Sequence, residues 1–279
     1  MFANLWAIEQ RKTFKRKAFV ITLAGTAALL VFLVLGTHFS AQVAAQQGGG
    51  IGELPSMLWP SGIVVLLTDF LSPGFIGGIV PVILATAFLV EEYRWGTLQL
   101  WLSRGVPRST VLGAKAAALV LPLLLTLIAA TLIGGGASAL VTHLGADPGS
   151  AEQVNFAQLV LSLLRTLTAM LPVAALTLLL GVLTRSTAGT LGAAMGYLLL
   201  GEQLLGGLLS LTGLSTAALY LPITVSTVLT LYNHTLIKGS EAAKSIPVGQ
   251  AAAFAGALLW TAVFLGLAMW RFNRQDLSI

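Results

Sequence analysis

The chain has no cysteine among its 279 residues. Disulfides, thiol nucleophiles and cysteine metal sites are therefore excluded. Charge is nearly as scarce: 9% of residues are Asp, Glu, Lys or Arg, where soluble domains carry about 25%. No GxxxxGK[ST] loop occurs, so ATP hydrolysis by that route is excluded from this chain. The three histidines, His38, His143 and His234, lack HExxH spacing and have no carboxylates patterned beside them. Neither catalytic residues nor metal ligands are expected. Long polar segments are also missing, so a single transmembrane domain over residues 1–279 is expected, with no globular appendage.

What the chain has in excess is apolar surface. Hydrophobic residues make up 56% of positions and fall in long runs, which no soluble core can hide. A helix needs about 20 apolar residues to cross a hydrocarbon layer of about 30 Å. Six stretches meet this: roughly 18–37, 71–90, 113–136, 166–183, 188–209 and 249–270. The fold class expected is all-α integral membrane with six transmembrane helices. The first run exceeds the core of about 7–15 residues of a signal peptide, so it is read as a retained span.

The formal charge of +5 is distributed beside the apolar runs, which points to membrane orientation and not to nucleic acid. With the N-terminus inside, the cytoplasmic side holds Arg11, Lys12, Lys15, Arg16, Lys17, Arg94, Arg104, Arg108, Lys115, Arg185, Arg271 and Arg274. Arg165, Lys238 and Lys244 fall outside. Twelve of the 15 basic residues lie on one side, which predicts cytoplasmic N- and C-termini in a multi-pass protein of the inner (plasma) membrane. Residues 2–17, with Phe2, Leu5, Trp6 and Phe14 among basic residues, predict an amphipathic helix in the inner interface. Residues 39–70 and 210–248 are too apolar for free loops. They are read as short re-entrant or interfacial helices on the outer side, packed against protein. Asn233-His234-Thr235 matches a glycosylation sequon, a three-residue pattern of low specificity.

Two places carry possible function. Glu202, with Gln203 beside it, lies about 22 Å along the fifth span counted from Thr187. An intramembrane carboxylate marks either a pathway or a buried bond to a neighbouring helix, and both readings stay open. The other place is EEYRWGTLQLWLSRGVPRSTVLGAK, residues 91–115. Glu91 and Glu92 end the second span, Gly96 breaks the helix, and Thr97 is placed to cap a short helix through Trp101 or Leu102. Leu98 and Trp101 stand at helical spacing. Arg104, Gly105, Pro107 and Arg108 form a turn, and Ser109 is placed to cap the third span. The pattern predicts a short transverse helix hung between two spans, which a cytoplasmic partner could push, or else a passive elbow.

That loop resembles the permease subunits of ATP-binding-cassette (ABC) transporters of the type-2 exporter branch. The matching residues are Glu91 or Glu92, Gly96-Thr97-Leu98, Ser103-Arg104, Pro107-Arg108 and Gly113 with Lys115. The opening WAIEQRKTFKRKAF and the closing RFNRQDL are similar to the family's ends. The resemblance implies a homo- or heterodimer of six-span permeases with two cytoplasmic ABC ATPase subunits, which would hold ATP and Mg and do the hydrolysis. It implies that loop 91–112 couples to the ATPase through Glu91, Glu92, Gly96, Thr97, Leu98, Trp101, Arg104, Pro107 and Arg108. It also implies that spans two and five, with Glu202 and Gln203, line the route. This chain would need no cofactor and would be no enzyme itself. An ion-gradient-driven secondary transporter and a membrane assembly factor stay open as alternatives. The transported substrate is not readable.

Overall fold

The computed structural model describes residues 2–46, 63–64, 66–74, 76–143, 156–236, 244 and 246–275. Residues 47–62 of the segment 39–70, residues 237–243 of the segment 210–248 (Lys238 among them) and Asp276 of the closing RFNRQDL lie outside the described residues. Ten α-helices are numbered here: α1 (Phe2–Lys15), α2 (Lys17–Gln46), α3 (Ile76–Arg94), α4 (Thr97–Ser103), α5 (Arg108–His143), α6 (Phe156–Thr184), α7 (Thr187–Leu211), α8 (Ser215–Ala218), α9 (Pro222–Leu231) and α10 (Gln250–Asn273). Among the described residues there is no strand.

Five of these, α2, α5, α6, α7 and α10, are long and apolar enough to cross a membrane. All five include the stretches read from the sequence or match them within a residue, and most overshoot them. The α5 helix runs from Arg108 to His143, well past the expected 113–136. The reason is physical. Backbone groups near a membrane must stay paired within the helix, so helices continue through polar flanks that hydropathy does not mark. The α3 helix takes the place of the run expected at 71–90, shifted to Ile76–Arg94.

The α3 helix is buried on most of its circumference: Val80, Val82, Leu84, Ala85, Ala87, Phe88, Leu89 and Val90 are buried, and Ile83 is exposed. It packs against α2, α5, α6 and α7. By contrast, α2 buries only a narrow stripe that includes Leu30 and Val34, and exposes Val20, Ile21, Phe32, Leu35 and Phe39. Exposed apolar side chains on long helices are what a lipid-facing surface needs.

The α1 helix is amphipathic in an unusual sense. Its inward side carries Leu5 with the polar Glu9, Gln10 and Thr13, all buried, while Phe2, Trp6 and Phe14 point out. The aromatic side chains suit a membrane interface, and the polar ones pin the helix to the bundle. Gln10 Nε2 donates to the Ala118 carbonyl of α5 at 3.1 Å.

The two segments read as re-entrant are packed against protein only in part, since Leu211, Leu214 and Tyr220 of the second are exposed. Leu66–Phe70 form a π turn whose Leu66, Leu67 and Thr68 are buried. In the second, α9 buries Ile223, Val225, Val228 and Leu229 against α6 and α10. A 3₁₀ turn, Tyr232–Leu236, follows α9.

Candidate functional site

Two polar sites sit at opposite ends of the bundle. At the basal end meet α1, the end of α3, α4, the start of α5, the end of α6 and the end of α10. Here Lys115 of α5 is 1% exposed and Glu92 of α3 is 4% exposed. Lys115 Nζ lies 2.7 Å from one Glu92 oxygen and 3.3 Å from Glu9 of α1. The other Glu92 oxygen pairs with Arg16 at 3.1 Å and Lys12 at 3.3 Å. Arg16 also donates to the Ala87 carbonyl and stacks on Phe88. The result is a buried cluster of two carboxylates and three cations that joins α1 to the root of the 91–107 loop. Burying these charges is tolerable only because each is paired.

Above this cluster hangs α4. Its limits are set by two glycines in the left-handed region, Gly96 at φ +65° and Gly105 at φ +75°. A side chain is strained in that conformation, so glycine is the natural residue at both turns. The cap expected of Thr97 falls instead on Gly96; the Thr97 hydroxyl points back to the Glu92 carbonyl at 3.5 Å. Ser109 does not cap α5 either, because α5 begins at Arg108 and Pro107 supplies the carbonyl that accepts from Thr110 and Val111.

Leu98 of α4 is buried. Trp101 is half-buried, with Lys12 Nζ 5.5 Å from its ring centre. Both therefore face the chain itself. The outward apolar residues are Trp95, 72% exposed, and Leu100, 60% exposed, neither of which the spacing argument singled out. Arg94 stacks on Trp95, and Arg104 and Pro107 are exposed nearby. Glu91 is half-buried. Of the residues named for coupling, Glu92 and Leu98 are internal, and Gly96, with Gly105, shapes the loop.

Arg108 has a different task. Its guanidinium donates to the carbonyls of Phe272, at 3.2 Å, Asn273, at 3.3 Å, and Gln275. A cation on the last carbonyls of a helix satisfies orphan acceptors and favours the helix dipole. Gln275 in turn accepts from Tyr93 Oη at 3.2 Å and donates to the Val182 carbonyl. So the loop, α3, α6 and the end of α10 are tied together at the basal end.

The distal end holds Glu202. It is 6% exposed, and all its partners are donors of this chain. Its carboxylate accepts from the backbone N–H of Ile223 at 2.8 Å and of Thr224, from Thr224 Oγ1 at 2.8 Å and from Tyr197 Oη at 3.1 Å. The cause is local. The α9 helix starts with Pro222 after Leu221, which offers no side-chain cap. Glu202 supplies from another helix the oxygens that an Asp or Ser would supply at the N-cap, and its negative charge suits that helix end. A π turn at Tyr197–Gly201 makes the reach possible, since i→i+5 bonding brings residues five apart, here 197 and 202, onto one side. Gln203, next in sequence, is exposed.

Further along this end, His234 lies 3.0 Å from Asp69. Arg165 is buried and donates to the Tyr232 carbonyl at 2.9 Å. Asn233 is fully buried and donates to Thr166 Oγ1 at 3.3 Å; the sequon there is inaccessible as folded. Among the described residues no three His, Asp or Glu side chains converge as metal ligands would.

No curated protein matches the chain. Residues 74–278, which include α3 to α10 with Glu92, Lys115 and Glu202 but not α1 and α2, match a family described as a protein of unknown function, DUF2705, and the chain belongs to that family.

Proposed function

We propose that the chain is the permease subunit of an ATP-driven exporter of the ABC type, working as a dimer with separate cytoplasmic ATPases. The observation that carries this reading is the build of the 91–107 loop. A seven-residue helix is held between α3 and α5 by two left-handed glycines, clamped from behind by Leu98 and by the ion cluster at its root, and fronted by exposed Trp95 and Leu100. A passive elbow has no use for two bare apolar side chains flanked by arginines, whereas a docking knob for a soluble partner does. The buried clamp would carry a push on α4 into α3, which packs on α2, α5, α6 and α7, and into α1.

In this reading α3 is the sixth span. At 19 residues and about 1.5 Å per residue it is close to 28 Å long, enough for the hydrocarbon core. The chain then crosses six times, which agrees with α1, loop 91–107, the Arg185 turn and α10's end gathering at one end. The twelve-to-three basic bias sets that end in the cytoplasm of an inner-membrane protein. ATP and Mg belong to the partner. The test is co-purification of the tagged full chain from its native membranes. A stand-alone ATPase bearing a phosphate loop is expected with the wild-type chain, and its loss with Leu100→Asp. Isolation of the wild-type chain with no ATPase, under conditions that keep membrane complexes whole, overturns the reading.

A further inference from the structure

Between the distal half of α7 and α9 runs a cleft of about 550 Å³, lined by Gly74, Gln203, Gly206, Ser210 and Thr227 among others. That volume lies within the range of about 300–1,000 Å³ typical of small-ligand sites. We propose that this cleft binds an uncharged amphiphile, with its acyl chain along α7 and a hydroxylated head on Gln203.

The charge inventory selects the ligand class. Among the described residues, the single ionisable side chain in the lining is Glu202, and its two oxygens are taken by two backbone N–H groups and two hydroxyls. Adding a cationic head there would mean competing with the cap of α9. An anionic head would meet no cation among the described lining residues and would face the Glu202 charge. Neutral hydrogen-bonding groups remain. Among the described residues, the Gln203 amide has no partner and so offers both a donor and an acceptor, and Thr227 Oγ1 is engaged only by Ser72 at 3.5 Å.

The apolar half of the ligand follows from the surroundings. Leu198, Leu219, Val228 and Leu231 line the cleft and give an acyl chain an apolar wall. Its glycines make room. A Cβ at Gly206 would meet only Leu221, at 3.8 Å, and one at Gly207 would meet nothing within 4 Å. These glycines are not required by the packing of the chain, and glycine in a helix interior is unfavourable. Together they leave space that an occupant of the cleft could fill. Of the lining residues, only Glu202 and Gln203 were marked by the sequence. As a holding place for cargo the cleft rests on the permease reading.

The test uses the purified full chain, without ATPase, and three oleyl probes that differ in the head: monooleoylglycerol, oleoyl lysophosphatidylglycerol and oleyl trimethylammonium. Binding is measured by native mass spectrometry over a concentration series. The neutral probe is expected to bind about tenfold more tightly than either charged one, which is the effect of about one well-made hydrogen bond plus avoided charge burial. Gly206→Leu should cut neutral binding about tenfold or more by filling the cleft, with no loss of thermal stability, because Leu is the better helix former. Gln203→Leu should weaken neutral binding and narrow the preference among heads, leaving only the part set by avoided charge burial. Equal binding of all three probes to the wild type overturns the proposal. So does unchanged neutral binding in Gly206→Leu, which would assign the lipid to the general belt around the helices. Either failure removes the cleft and leaves the Leu100 result untouched, since no ATPase takes part.

Discussion

Lys115 Nζ sits 2.7 Å from a Glu92 oxygen with both side chains almost wholly withdrawn from solvent. This contact joins α5 to the last turn of α3, one turn before the transverse helix. It does not act alone, and the neighbours decide what each mutation does. Removing Glu92 leaves Lys12 and Lys115 to share Glu9 and takes away the carboxylate that Arg16 pairs with. Removing Lys115 leaves Glu92 still paired with Arg16 and Lys12. Breaking a buried pair costs about 3–5 kcal/mol when a charge is stranded. Glu92→Gln should therefore destabilise the purified chain by about that amount, and Lys115→Met by clearly less. Thermal unfolding in detergent measures both. A larger loss with Lys115→Met would show that the cluster is not shared as its distances imply.

A second comparison separates the two sides of α4. Leu100 is exposed, whereas Trp101 packs on the bundle and on Lys12. Leu100→Asp should leave the unfolding free energy within about 0.5 kcal/mol of wild type, as for most surface changes. Trp101→Ala should cost about 1–3 kcal/mol through lost packing and the lost cation contact. If Leu100→Asp destabilises the isolated chain as much as Trp101→Ala, the outer side is not free for a partner.

These contrasts mark where the sequence was legible. The long helices were, because lipid forces about 20 apolar residues into each crossing and few other patterns do that. The short helix was also legible, from Gly96, from Gly105 with Pro107, and from the apolar residues between. Its orientation was not. In seven residues, Leu98 and Trp101 at a spacing of three share a side, but nothing local says whether that side is in or out. The ion cluster was hidden for another reason: Glu9 and Lys115 are far apart in sequence, and only the docking of α1 brings them together. One signal was present, the polar residues Glu9 and Thr13 spaced four apart on a helix otherwise rich in aromatics. For Glu202, the signal was Pro222 opening a helix behind Leu221, which left the α9 N-terminus in need of a cap from elsewhere.

The lack of cysteine makes the topology directly testable. Arg104, Thr212 and Arg274 are all exposed, so a single cysteine at each is reachable once on the correct side. Arg104→Cys and Arg274→Cys should react with a membrane-impermeant maleimide in inverted vesicles and stay unlabelled in intact cells. Thr212→Cys, just beyond α7, should do the reverse. Labelling of all three from one side would mean that α7 does not cross, and reversed labelling would mean that the basic bias misreads the orientation.

Glu202 gives the sharpest test of structure against pathway. A carboxylate that only lines a route loses little stability when neutralised. This one holds the start of α9 with both oxygens. Glu202→Gln keeps one oxygen but turns the other into an N–H₂ group, which would point donors at the donors of Thr224 or Ile223. Glu202→Asp keeps both oxygens on a stem one methylene shorter. Glu202→Ala strands two backbone N–H groups and two hydroxyls. Unpaired buried polar groups cost about 1–3 kcal/mol each when water cannot reach them, and the loss of a helix cap alone costs about 1 kcal/mol. The expected order of stability is wild type, then Asp, then Gln, then Ala, with Gln down by about 1–3 kcal/mol. Hydrogen exchange should place the damage in the first turn of α9, at Ile223 and Thr224, and spare α7. Thermal unfolding with residue-resolved exchange measures both. If Glu202→Gln matches wild type in stability and in the exchange of Ile223 and Thr224, the carboxylate is not the cap of α9. Its burial would then have to be explained by transport.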